Sequence, residues 1–153
     1  MQPGMHWEGA QLAAALKGTP EARTGRITVQ VGAEIGPDAP ADAIQVRLHS
    51  YGDLDVVVAV QRPVILASTV LCPAADVSRR EEFERGLLRA NKAMSLSAFA
   101  LTTVGGVETY EVYGELSTGS AIEEIIEEIE TLGRNSIHAA EMLHDWTVGK
   151  EAA

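Results

Sequence analysis

Residues 54–71 read LDVVVAVQRPVILASTVL, and their pattern decides the fold. In the first eight, Leu54, Val56, Val58 and Val60 alternate with Asp55, Val57, Ala59 and Gln61, the period of an extended strand with one buried face. Arg62-Pro63 then breaks the run. A proline is tolerated at the start of a strand, where its missing N–H is not needed. Residues 64–71 are apolar on both faces apart from Ser68 and Thr69, which predicts a central strand or one covered on both sides. The rival for so apolar a stretch is a membrane helix. That needs roughly 20 mostly apolar residues, and the most apolar stretch, residues 56–75, is interrupted by Gln61, Arg62, Pro63 and Pro73. Two strands joined by so short a connection run antiparallel.

The pattern extends in both directions. Upstream, residues 44–49 alternate apolar and polar, and Tyr51-Gly52-Asp53 marks a turn. Residues 26–31 form a weaker strand on Ile27, Val29 and Val31. Between these, residues 32–43 carry Gly36, Pro37 and Pro40 and predict a flexible loop. Residues 7–16 predict a short amphipathic helix ended by Gly18-Thr19-Pro20. Downstream, Cys72-Pro73 ends the long strand. Ser78-Arg79-Arg80-Glu81 has capping-box spacing and opens a helix to about residue 93, with Phe83, Leu87, Leu88 and Met94 inward.

Residues 98–103 and 109–116 predict a hairpin around Val104-Gly105-Gly106, because paired glycines accept the positive φ of a tight turn. Tyr110, Val112 and Leu116 share one of its faces, with Gly114 between them. Ser120-Ala121-Ile122-Glu123 is a second candidate box. The last helix carries a stripe of Ile122, Ile125, Ile126, Ile129, Leu132, Ser136, Ile137, Ala140 and Leu143 that keeps its phase across Gly133. Residues 147–153 predict a frayed tail. The expectation is one α+β domain over residues 1–153: an antiparallel sheet flanked by helices, in the order α-β-β-β-(β)-α-β-β-α.

Composition excludes several function classes. The chain of 153 residues has 12 basic and 22 acidic side chains, a net charge of −10. Phosphate backbones and anionic membrane surfaces draw on Lys and Arg, so nucleic acid and direct membrane insertion are not expected. One cysteine, Cys72, permits no internal disulfide and no cysteine-based zinc site. The first residues lack a basic region followed by an apolar run, so the expected location is the cytoplasm.

The chemical candidates are weak. Cys72 needs a base or positive field to act as a nucleophile and reads better as a small buried hydrophobe. Glu141-x-x-His144, with His138 before it, has the spacing of di-iron carboxylate helices but lacks their four-helix frame. Residues 114–120 lead from strand to helix without the Lys and glycine spacing of a phosphate loop. No Gly-x-Ser-x-Gly elbow is present. No catalytic, cofactor or metal site is therefore expected. Glu123, Glu124, Glu127 and Glu128, near a helix N-terminus that favours them, are the candidate partner-binding residues, with Glu130 extending the cluster.

One pattern is informative as a whole. Trp7 and Leu12-Ala13 stand near the start. Tyr51-Gly52-Asp53-Leu54 precedes paired strands ending in Cys72-Pro73. Leu87-Leu88-Arg89-x-Asn91-Lys92, Met94-Ser95-Leu96-Ser97 and Tyr110-x-Val112-Tyr113-Gly114-Glu115-Leu116-Ser117 follow, then the acidic helix and Leu132-x-x-Asn135. Together these resemble the YjfI-like family of bacterial proteins, over nearly the whole chain. The second half also resembles type III secretion chaperones and YbjN-like proteins. The resemblance implies a chaperone-like fold, a homodimer that holds a partner polypeptide, and a connection to PspA-like coiled-coil proteins of envelope-stress physiology. It implies no catalytic residue. The expected function is thus a non-enzymatic, polypeptide-binding chaperone-like or adaptor protein. The alternatives are a small-molecule sensor with a pocket between sheet and helices, and a hydrolase or transferase using Cys72 or a histidine, which a placement of Cys72 beside His49 or His138 would favour.

Overall fold

The computed structural model describes residues 4–147. Helix α1 (Gly9–Lys17) and a single turn α2 (Pro20–Arg23) lead into strand β1 (Ile27–Val31). Strands β2 (Ile44–Leu48), β3 (Leu54–Gln61) and β4 (Val64–Pro73) follow. Helix α3 (Arg80–Asn91), the hairpin β5 (Ala98–Val104) and β6 (Val107–Ser117), and the long helix α4 (Ile122–Leu143) complete the chain. All strand pairs are antiparallel, in the sheet order β1-β2-β3-β4-β6-β5. The α+β expectation holds, and the weak first strand is real: β1 pairs along its whole length with β2.

β4 is central, between β3 and β6, which explains why both of its faces are apolar. The described helices cover only one of them. Leu12 and Leu16 of α1 and Ile125, Ile129 and Leu132 of α4 bury against Val46, Val56, Ile65 and Val112. α3 joins the same side through Phe83 and Leu87, which meet Tyr110, Leu143 and Trp146 in a second cluster. Phe83 stands edge-on to Tyr110, with ring centroids 5.0 Å apart. At the hairpin, Gly105 and Gly106 take φ of +55° and +80°, as the two-residue turn requires.

Several local expectations fail for identifiable reasons. Trp7 lies outside α1. Its N–H donates to Thr118 O at 2.9 Å and its indole to Ser120 O at 2.8 Å, so the N-terminal segment is lashed to the loop before α4. Ser78 does not cap α3. Its N–H and hydroxyl both donate to Trp146 O, at 2.8 and 3.0 Å, and Arg79 at the helix start takes a left-handed φ of +47° beneath that contact. Leu88 is 73% exposed rather than inward. At α4 the box slips by one residue: Glu124, not Glu123, accepts from the N–H of Ala121 at 2.9 Å, and Ser120 has no capping role. Gly133 does not break α4, and Ile137 and Ala140 face outward while Ala139 is buried. The loop at 32–43 is closed at its base by the Gly32 N–H on Ala43 O, at 2.9 Å. Thr147 forms a bridge with Val77; the rest of the predicted tail, 148–153, lies outside the described residues.

Candidate functional site

The acidic helix start divides on folding. Glu123 and Glu127 are exposed on the first turns of α4. Glu124 is exposed too, but one of its oxygens serves the Ala121 N–H. Glu130 pairs with Arg26 of the segment before β1. Glu128, expected on the same wet face, is only 3% exposed. It points at the sheet, where Gly114 of β6 leaves the room: a methyl group at Gly114 would overlap its Oε1. That oxygen has no hydrogen-bond partner among the described residues. Burial first, and then the charge of Glu127, push its carboxyl up to about 7. Glu128 is therefore an interior group and leaves the partner-binding set. The missed signal was positional: it follows Ile125 by three residues and precedes Leu132 by four, on the buried side of the stripe.

Cys72 is half-buried where β4 bulges against Tyr110. Burial, then Asp76, raises its thiol, the wrong direction for a nucleophile. His49 is engaged elsewhere. Its Nδ1 lies 2.6 Å from Asp53 Oδ1 and its Nε2 2.7 Å from Thr28 Oγ1. The order hydroxyl, imidazole, carboxylate matches a nucleophile–base–acid relay. All three residues are exposed, however, so nothing desolvates the hydroxyl. The cluster ties the turn after β2 to the outer strand β1. His49 and Asp53, four apart around a turn, were legible as a pair; Thr28 was not. His138 lines a separate crevice with Met94, Asn135 and Met142. Among the described residues, no group of three His, Cys, Asp or Glu side chains could hold a metal ion. Likewise, no described helix is long and apolar enough to cross a membrane.

Two partly apolar surfaces stand out. The first is the sheet face opposite the helices. The register aligns Val57, Ser68, Tyr113 and Ala98 in one row across four strands. Ala59, Leu66 and Glu115 form a row on one side of it, and Val70, Glu111 and Ala100 one on the other. Val57 and Val70 remain 49% and 51% exposed. The carboxyl of Glu111, within this strip, is raised by burial.

The second is an apolar groove of about 220 Å³ between α3 and β5, lined by Leu87, Leu88, Phe99, Leu101 and Tyr110, with Glu84 and Asn91 at its ends. Tyr110 donates to Glu84 Oε1 at 2.8 Å, and Arg80 bridges Glu84 at 2.7 Å and Glu108 at 2.5 Å. The guanidinium and the phenol hold Glu84 below the usual carboxylate range, while burial and Glu84 push the Tyr110 phenol up to about 12. Asn91 and Asn135 fasten the connection between α3 and β5. Asn91 bonds both backbone groups of Phe99, and Asn135 donates to Ser95 O and Ser97 Oγ.

Known proteins share this fold. The crystal structure of YbjN from E. coli, which has been proposed to be a transcription regulator, superposes with a TM-score of 0.60, covering 93% of this chain and 96% of that one at 15% identity. A protein from Methanothermobacter thermautotrophicus gives 0.58, covering 87% and 97% at 14% identity. In sequence, the chain is 30% identical over 143 residues to the uncharacterized protein YjfI of Escherichia coli K12, covering 94% of this chain and 99% of that protein. The YjfI protein of strain O157:H7 matches to the same extent. With residues 6–147 matching the family described as uncharacterized proteins conserved in bacteria, the chain belongs to that family, DUF2170.

Proposed function

We propose that the protein is a non-enzymatic polypeptide-binding protein, a chaperone-like or adaptor subunit that works as a homodimer. One observation carries the reading: α1, α2, α3 and α4 pack on one face of the sheet, and the other face presents Val57, Leu66, Val70 and Tyr113. A sheet face open to water is ordinarily polar at alternate positions. Exposed valines gathered at the centre of such a face, with Ser68, Glu111 and Glu115 between and beside them, favour a protein contact. A second copy covers this strip, and the helix side is left for the partner.

Resemblance supplies a partner, a PspA-like coiled-coil protein of envelope-stress physiology. Glu123 and Glu127, on the helix side, steer a basic helical segment toward it, and Glu128 takes no part. Steering between exposed charges fades as the screening length falls to about 8 Å near physiological ionic strength. Kinetic binding to the PspA-like protein of the same genome is the test. The association rate should drop with salt, and reversing Glu123 and Glu127 to lysine should reproduce the drop. Absence of binding at tens of micromolar, with both proteins folded, would remove that partner. A light-scattering mass of a single chain at all concentrations would remove the dimer.

A further inference from the structure

We propose that the free edge of β5 docks an extended segment of a partner polypeptide, which joins the sheet as an added strand and places an apolar side chain in the groove beside α3. This rests on the reading of the protein as a polypeptide binder and names where, and in what shape, the partner is held.

β5 ends the sheet, with β6 on one side and, among the described residues, no strand on the other. The direction of its outer backbone groups is shown by Asn91. The Phe99 N–H donates to Asn91 Oδ1 at 2.7 Å, and Asn91 Nδ2 donates to Phe99 O at 3.3 Å. A side-chain amide thus sits where the peptide unit of a neighbouring strand would sit. Backbone direction repeats every second residue along a strand. Leu101 and Thr103 therefore present their N–H and C=O outward in the same way, and both residues are exposed. Edges are normally guarded by charge, proline or a bulge. The β5 sequence AFALTTV has neither charge nor proline, and its register with β6 is unbroken.

The surroundings specify the ligand further. Leu101 is paired with Tyr110, so its side chain lies on the helix side of the sheet. A residue placed opposite Leu101 points to that side as well and meets the groove formed by Leu87, Leu101 and the 73% exposed Leu88. Asn91 closes the edge at Phe99. At the Thr103 end, Glu84 and Glu108 share the one guanidinium of Arg80, leaving an excess of negative charge. The complementary segment is short and extended, with an apolar residue opposite Leu101 and a lysine or arginine toward Glu84 and Glu108. Such a segment gains affinity from main-chain hydrogen bonds and specificity from the pocket.

The test is selection from a phage-displayed library of random nonapeptides on the full chain, followed by synthesis of the enriched peptide and titration. Enriched peptides should carry an apolar residue close to a basic one. Affinity should fall at least about tenfold on N-methylating one alternate set of peptide amides and change little for the other set. In the protein, Thr103→Pro removes an outward N–H that β6 does not use, and Leu88→Glu changes only an exposed helix side chain. Each should weaken binding by about tenfold or more with an unchanged circular dichroism spectrum. Peptides that bind both variants as tightly as the parent, or that ignore N-methylation, would overturn the site while leaving polypeptide binding intact. Failure to enrich any peptide would also overturn the site, and the PspA-like measurement then judges the broader reading separately. A doubled mass abolished by Thr103→Pro would overturn the assignment by giving the edge to a second copy.

Discussion

Glu128 is the residue at which folding and chemistry conflict most. A carboxyl at 3% exposure with an unpartnered oxygen keeps its proton longer in the folded chain than in the unfolded one. Its folded value is raised from 4.5 to about 7, so its contribution is favourable below about pH 4.5 and is lost as pH rises through about 7. Glu128→Gln, which carries no charge, should therefore be more stable than the parent at pH 8 by an order of 2–3 kcal/mol, and the difference should vanish near pH 4.5. Urea unfolding at the two pH values checks it; a gain independent of pH would mean that the carboxyl titrates normally. Gly114 is the other half of this arrangement. Gly114→Ala drives a methyl group into the carboxylate and also 3.0 Å from Leu96 O, and should cost about 1–3 kcal/mol.

At the scale of the element, α4 is held chiefly by packing, with one bond from Glu124 at its start. Ile129 is 1% exposed against the sheet. Ile129→Ala should cost roughly 2–5 kcal/mol, whereas Glu127→Ala, on the exposed side, should change stability by less than about 0.5 kcal/mol. Equal denaturation midpoints for the two variants would mean that the stripe faces elsewhere. Gly133, in the middle of α4, should behave against helix propensity. Replacing it by alanine would ordinarily stabilise a helix by up to about 1 kcal/mol. Here an added Cβ would stand 2.8 Å from both Leu48 Cδ1 and Tyr51 Cδ2, where β2 and its turn press on the helix. Gly133→Ala should therefore lower the midpoint, and a higher one would show that these side chains move aside freely.

For the whole molecule, the consequence of a two-layer arrangement is an uncovered side. Six strands with helices on one face leave Val57 and Val70 at the centre of the other. Val57→Lys combined with Val70→Lys should convert the proposed dimer to single chains, measured by light scattering, without altering the secondary-structure spectrum. The helix-side core does not touch either residue. An unchanged mass would direct the search for the interface to another surface. The acidic first turns of α4 and the open sheet face lie on opposite sides of the layers, so the proposed steering and the proposed self-association can be tested independently.

Alternation and stripe periodicity alone determined that this chain is α+β, that residues 54–71 form two antiparallel strands, that the Gly105-Gly106 turn joins a hairpin, and that a long amphipathic helix closes the molecule. These features depend on neighbours within a few residues, where backbone geometry and side-chain direction repeat with a fixed period. The tertiary structure alone decided that Ser78 leaves the start of α3 uncapped and that Trp7 lies outside α1. Ser78 answers to Trp146 and Trp7 to Thr118 and Ser120, partners far away in the chain. It likewise decided that Glu128 is inside and Leu88 outside. Whether a side chain is buried depends on what packs across from it, and the space beside Gly114 and the edge of β5 exist only once the sheet has assembled.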